Sequence, residues 1–164
     1  MTQADPATGP SPCRGCGLCC DDSLFTHTPL DPEDHERMRR TPGVVEHQGG
    51  LAIALPCPQL CNRECSIYAE LPKLCRNFTC KSLRLYRRGE LELDEFKDRV
   101  AQTLATRQEL LESSGSGSSV SELRQQAAAN QSQLAPQTQL LLMKFEMLLD
   151  RYFRRDNYRT IHEG

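Results

Sequence analysis

The stretches that decide the fold are CRGCGLCC, residues 13–20, and CPQLCNRECSIYAELPKLCRNFTC, residues 57–80. Between them they hold all nine cysteines of a 164-residue chain that has no Trp and few other aromatic residues. Nine of the ten prolines fall in the same half, before residue 73. A segment so rich in Cys, Gly and Pro cannot bury enough apolar surface to offset its chain entropy, so it needs a cross-link or a metal to fold.

The nine cysteines admit three chemistries. Structural disulfides belong to oxidising compartments, and both the odd count and the absence of an apolar leader over residues 1–12 speak against them. Thiol–disulfide catalysis normally uses one C-x-x-C pair at a helix start, whereas here two overlapping pairs lie among glycines. Metal ligation suits the spacing best, because the two residues inside C-x-x-C let the chain turn so that both sulfurs face one centre. Gly15 and Gly17 supply the turn freedom. Side chains of adjacent residues diverge in an extended segment, so Cys19 and Cys20 are expected to serve different sites, or one ligates while the other packs. Two nearby metal sites or one multinuclear cluster would use both. Arg14, Arg63, Arg76 and Lys81 lie beside cysteines, where positive charge favours thiolates.

Outside the cysteines, Leu and Ala dominate the apolar residues while Val and Ile are scarce, which predicts a mainly α fold with a loop-rich, metal-stapled N-terminal half and one short β-hairpin. Three regions follow: a disordered lead-in over 1–12, a cysteine-cluster region over 13–90, and a helical region over 91–164 with a flexible loop at 113–119 (SSGSGSS). Asp31-Pro32 opens a short helix that runs to about Arg40, and residues 44–55 carry β-branched residues around Gly49-Gly50, the hairpin candidate. A helix over 81–88 ends at Gly89, and Asp94 is read as the N-cap of a longer one carrying Phe96, Val100, Leu104 and Leu111. A weaker helix spans 120–130. A stronger one opens at Pro136 with Leu141, Phe145, Leu148 and Tyr152 on one stripe, read as core packing rather than a partner groove and able to form a helical hairpin with the helix at Asp94 over the cysteine half.

Spacing and charge weigh against several other functions. No apolar run approaches the ~20 residues of a transmembrane helix, and a cytoplasmic location is expected. Net charge is only −2, and no aromatic residues interleave with Arg84, Arg87, Arg88, Arg151, Arg154, Arg155 and Arg159, so these read as solvated helix faces and nucleic acid is not expected. His27, His35, His47 and His162 stand at no ligand spacing from a cysteine pair. Nucleotide-binding, zincin and nucleophile-elbow motifs are all missing, so no catalytic residue is assigned.

The pattern C-x-x-C-x-x-C-C at Cys13, Cys16, Cys19 and Cys20, followed by C-P-x-L at 57–60 and C-S-I-Y-x-x-x-P-x-x-C-R-x-F-x-C at 65–80, resembles the YkgJ-type CxxCxxCC cysteine-cluster family. That family is described as a candidate zinc- or iron-chelating domain, and a related motif occurs in flagellin lysine-N-methylases. The resemblance covers residues 13–86 and implies eight metal ligands: Cys13, Cys16, Cys19, Cys20, Cys57, Cys65, Cys75 and Cys80, with Cys61 as an extra. The family's arginine before the proline is replaced by Leu71, while Arg76 matches. Eight thiolates divide into two tetrahedral zinc sites, or they serve iron–sulfur clusters, for which the C-x-x-C-x-x-C run and Cys57-Pro58 give a slight preference. The expected function is that of a cytoplasmic metal-binding protein. An iron–sulfur enzyme (redox, or methyl transfer of the lysine-methylase kind) and a metal-delivery or adaptor protein with a partner on the C-terminal helices are the alternatives.

Overall fold

The computed structural model describes residues 11–115, 117–129 and 134–155. Most of the expected lead-in and His162 lie outside the described residues. The fold is mainly α. Its helices are α1 (Pro32–Met38), α2 (Lys73–Asn77), α3 (Lys81–Arg87), α4 (Leu93–Ser114), α5 (Val120–Ala128) and α6 (Pro136–Tyr152). The strands are β1 (His27–Pro29), β2 (Val44–His47), β3 (Gly50–Ala54), β4 (Leu60–Cys61) and β5 (Glu64–Cys65).

The expected hairpin is β2–β3. Its two-residue turn, Gln48-Gly49, has both φ angles positive, as a tight hairpin turn matched to strand twist requires. β1 adds antiparallel to the other edge of β3, giving the order β1-β3-β2. The second hairpin, β4–β5, was not expected. Its turn places Asn62 and Arg63 in the left-handed region, at φ 49° and 64°, where side-chain residues other than Gly, Asn and Asp are uncommon.

Helix boundaries differ from the sequence reading at several points, α3 ending at Arg87 rather than residue 88 and α5 at Ala128 rather than residue 130. α1 stops at Met38 rather than Arg40. α4 begins one residue before Asp94, with Glu92 as N-cap, so Asp94 sits in the first turn where its charge meets the helix dipole. α4 also continues through Ser113 and Ser114, whose hydroxyls donate back to the carbonyls of Leu110 and Leu111 (2.8 and 2.9 Å) and so extend the helix into the serine run. α5 opens with a capping box: Ser119 Oγ accepts from Glu122 N at 3.2 Å while Glu122 Oε2 accepts from Ser119 N at 2.8 Å.

α4 packs along α6 more extensively than any other helix pair. The face α4 buries is Phe96, Thr103, Thr106 and Leu110, with Val100, Leu104 and Leu111 only half-buried at its margin. The threonine hydroxyls donate to carbonyls of their own helix, Thr103 to Arg99 at 2.8 Å and Thr106 to Gln102 at 3.1 Å, so small polar residues can sit in a close helix contact without unmet polar groups. Opposite them lie Thr138, Leu142, Phe145, Leu148 and Leu149 of α6. The same core takes in Leu18, Leu24, Cys80 and Leu83 from the cysteine-rich half. The helices therefore pack over that half, but α6 buries Leu142 and Leu149 where the sequence stripe has Leu141 and Tyr152, which are only partly buried.

Candidate metal centre

The octet at 13–20 is a run of turns. Cys16 N donates to Cys13 O at 3.1 Å and Cys20 N to Gly17 O at 2.9 Å. Gly17 has φ 64°, and a Cβ there would meet Leu60 Cδ1 at 3.1 Å and the Arg63 guanidinium at 3.2 Å, so glycine is needed both for the turn and for the close approach of the β4–β5 hairpin. Leu18 anchors the octet in the core. Cys57 N donates to Cys20 O at 2.7 Å, which draws the second cysteine stretch against the first.

The thiols fall into two neighbourhoods. Cys16 interacts with Cys80 and Cys13, Cys19 with Cys16 and Cys13, and Cys80 with Cys13. On the other side, Cys57 interacts with Cys20 and Cys65, Cys65 with Cys20, and Cys75 with Cys20, Cys57 and Cys65. The neighbourhoods meet where Cys19 Sγ stands 3.7 Å from Cys20 Sγ, and Cys13 also senses Cys20. Cys61 is exposed and pairs across the hairpin with Glu64.

Burial dominates the electrostatics. It pushes the Cys16 and Cys75 thiols up to about 12 and Cys80 to about 11, and raises Cys13, Cys57 and Cys65. Cys19 is held high by its hydrogen bond to Cys20 and then by burial, and that same bond lowers Cys20. Some counter-charge is built in. Cys80 is the N-cap of α3 and its Sγ accepts from Leu83 N at 3.4 Å. Arg63 donates through Nε to Cys16 O at 2.9 Å and through Nη1 to Asp21 Oδ2 at 2.6 Å, and its charge lowers both Cys16 and Cys20.

Of the other cations expected near cysteines, Arg14 lies 5.0 Å from the centre of the Tyr68 ring and Arg76 donates to Leu71 O at 3.1 Å. Arg76 thus contacts the very position where the family arginine is missing. Arg87, read as part of a solvated face, is a neighbour of Cys13 that lowers its pKa. Arg88 pairs with Glu90 and Arg151 lies against Tyr152 at the surface, whereas Arg154, which pairs with Glu146 and Asp150, and Arg84 each bury the guanidinium Nε and depart from the solvated-face reading; Arg159 lies outside the described residues. The rings of His27 and His47 stack at 4.1 Å and His35 Nε2 meets Leu30 O at 3.1 Å.

The residues that the sequence reading missed are Asp21, Asp22, Arg107 and Arg124, which join the octet to the helices. Asp22, completely buried, accepts from Ser121 N and Oγ at 3.0 and 2.9 Å in the first turn of α5. Arg107 of α4 lies 3.2 Å from Asp21 Oδ2 and 3.4 Å from Asp22 Oδ1. Arg124 donates to the carbonyls of Asp22 and Ser23 at 2.9 and 2.6 Å. Two acidic residues directly after the octet were the available signal.

Among the described residues, no three Cys, His, Asp or Glu side chains converge on ligating positions around one point, so closing either set on a metal requires side-chain rotation. The donor chemistry suits zinc or iron: soft thiols, of which burial biases Cys16, Cys75 and Cys80 towards the protonated form that a bound cation would displace. A family model, CxxCxxCC, described as a "putative zinc- or iron-chelating domain", matches residues 12–105, more than half of the chain and well into α4. No curated protein and no solved structure matches the chain.

Proposed function

We propose that this chain, which belongs to the CxxCxxCC family, binds metal through two sets of four thiolates, an inner set of Cys13, Cys16, Cys19 and Cys80 and an outer set of Cys20, Cys57, Cys65 and Cys75. The observation that carries this reading is the meeting of the two cysteine stretches at Cys19 and Cys20, whose sulfurs stand 3.7 Å apart while Cys57 N donates to Cys20 O at 2.7 Å. Four thiolates complete a closed tetrahedral zinc site and equally the ligand set of an iron–sulfur cluster. All nine cysteines are free thiols, and the proposal includes a reducing, cytoplasmic setting that keeps them so. The inner metal ties the octet to α3. The outer metal joins the octet to β5 and α2, segments too short to hold one another.

Anaerobic purification followed by elemental analysis and an absorption spectrum tests the proposal. Two stoichiometric zinc ions in a colourless protein, or iron with a visible charge-transfer band, support it and name the metal. A folded chain free of both overturns it. An adaptor role is favoured by one observation, the exposure of Leu140, Met143 and Met147 at helical spacing on α6. Concentration-dependent sedimentation of Met143→Glu against the parent chain tests whether that ridge mediates association.

A further inference from the structure

A pocket of about 360 Å³ is bounded by β1, β3 and α2. That volume lies within the ~300–1,000 Å³ usual for small-molecule sites. Its wall is chiefly apolar, built from Phe25, Ile53, Leu55, Leu74 and Phe78, and the Phe25 and Phe78 rings meet edge to face, 5.1 Å between centres. Cysteines of both sets complete it, Cys19 from the inner and Cys20, Cys57 and Cys75 from the outer. No Asp, Glu, Lys or Arg lines it, and its other polar side chains are Thr28, Asn77 and His27. Desolvation and the neighbouring His47 hold the His27 pKa below its ordinary value, so that ring is uncharged at neutral pH.

Such a wall selects for neutrality. A charged ligand entering an apolar space gives up its hydration, and here no acidic or basic side chain replaces it. Neutral apolar bodies gain from the same burial, and apolar cavities, which water fills poorly, take up small aromatic molecules. The two phenylalanine rings favour an aromatic body, which can meet them stacked or edge-on. Orientation comes from the few polar groups. Asn77 offers a donor and an acceptor from one carboxamide and Thr28 offers a hydroxyl, and among the described residues neither side chain uses them in a hydrogen bond. Asn77 is exposed, as is Leu74 one turn before it on α2, so the polar end of a ligand faces the mouth while its body lies deeper.

We propose that this pocket binds a small neutral aromatic molecule carrying one hydrogen-bonding group, of the aryl alcohol or phenol class, its ring against the apolar wall and its polar group at Asn77. This inference goes beyond the metal-binding reading and does not depend on it, because every group that selects the ligand is a side chain of the wall itself.

The test uses the full chain as purified. Benzyl alcohol, its cationic isostere benzylammonium and its anionic counterpart benzoate are titrated separately and followed by amide chemical shifts. The alcohol is expected to bind at least ten-fold more tightly than either ion, with shifts concentrated at Phe25, Thr28, Leu55, Asn77 and Phe78. Two exposed positions on α2 supply the variants, each checked for unchanged circular dichroism and metal content. Leu74→Trp, at a side chain 43 % exposed, fills the mouth and is expected to weaken the alcohol at least ten-fold. Asn77→Ala is expected to weaken the alcohol about three- to ten-fold, as loss of one hydrogen bond does, and to leave toluene, which lacks the hydroxyl, within two-fold. An ion that binds as tightly as the alcohol, shifts elsewhere, no binding at all, or indifference of the alcohol to either substitution overturns the assignment, and each of these results leaves the metal-binding reading standing.

Discussion

The inner and outer cysteines occupy different kinds of surroundings. Cys13, Cys16, Cys19 and Cys80 belong to or pack against the same apolar cluster as Phe96, Leu110 and Phe145, so the inner set is continuous with the helical core. Cys57 packs instead against a small second cluster of Leu30, Met38 and Ile53, while Cys65 and Cys75 stand on β5 and α2, elements of two and five residues. The difference teaches that identical ligand chemistry can serve two ends. A metal in the inner set is enclosed by the core and would be a determinant of folding. A metal in the outer set would order short loops beside an open pocket, where it can meet other molecules.

The comparison is most exposed to a pair of substitutions. Cys16→Ser removes an inner ligand and Cys65→Ser an outer one. Structural zinc sites contribute ~10–16 kcal/mol in small peptides, comparable with the ~5–15 kcal/mol total stability of a domain. Cys16→Ser is therefore expected to abolish the cooperative thermal transition seen by circular dichroism, and Cys65→Ser to lose one metal while keeping the helical transition. Equal melting behaviour of the two variants would break the distinction.

A smaller effect is expected at the seam that fastens the inner set to the helices. Asp21 and Asp22, with side chains 4 % and 0 % exposed, both pair with Arg107. Asp21 keeps Arg63 when Arg107 is removed, while Asp22 loses its ion-pair partner and keeps the Ser121 bonds, so the cost is expected below the roughly 3–5 kcal/mol of a fully uncompensated buried charge. Arg107→Ala should lower the denaturant midpoint accordingly while native mass spectrometry still finds both metals. Loss of the inner metal alone would show that Arg107 shapes the site itself.

How much of this could be read from the sequence follows from the range of the interactions. The octet's turns, the β2–β3 hairpin and the Pro136 helix are local, and spacing exposed them. Adjacency predicts that Cys19 and Cys20 diverge, whereas their sulfurs stand 3.7 Å apart, because the turn at 17–20 is not the extended segment that the expectation assumed. Which remote cysteine lies near which part of the octet was not legible, since Cys80 shares an apolar cluster with Cys13, Cys16 and Cys19 through long-range packing, and Cys57 reaches Cys20 through a backbone bond. The Asp22 to Ser121 contact spans 99 residues and left no periodic trace. Thr103 and Thr106 were missed on the buried face of α4 because their polar groups are satisfied within the helix.

Proton linkage sharpens the outer half of the comparison. In protein stripped only of its outer metal by a mild chelator, Cys75 has its pKa raised from 9.0 to about 12, chiefly by burial. A group that holds its proton more tightly when folded stabilises the fold fully below its unfolded pKa and loses that contribution as pH rises through the folded value. The stripped protein should therefore lose stability progressively from pH 9 towards 12. With the outer metal in place Cys75 is already a thiolate, and this alkaline loss should be absent. Chemical denaturation at a series of pH values checks it, and parallel curves for the two forms would remove Cys75 from the outer set.

Cys61 should show the smallest effect and provides the control for the whole division. It sits on the same hairpin as Cys65, yet the β4–β5 register places it opposite Glu64, while Cys65 lies opposite Leu60. Alternation along a strand turns neighbouring positions to opposite faces, so the register puts Cys61 on the exposed face with Glu64 and Cys65 on the half-buried face with Leu60. Cys61→Ser exchanges one exposed small side chain for another and is expected to change stability by less than ~0.5 kcal/mol. Metal stoichiometry should also be unchanged by elemental analysis. If Cys61→Ser loses a metal, the register of β4–β5 does not select the ligand and the outer set must be redrawn around Cys61.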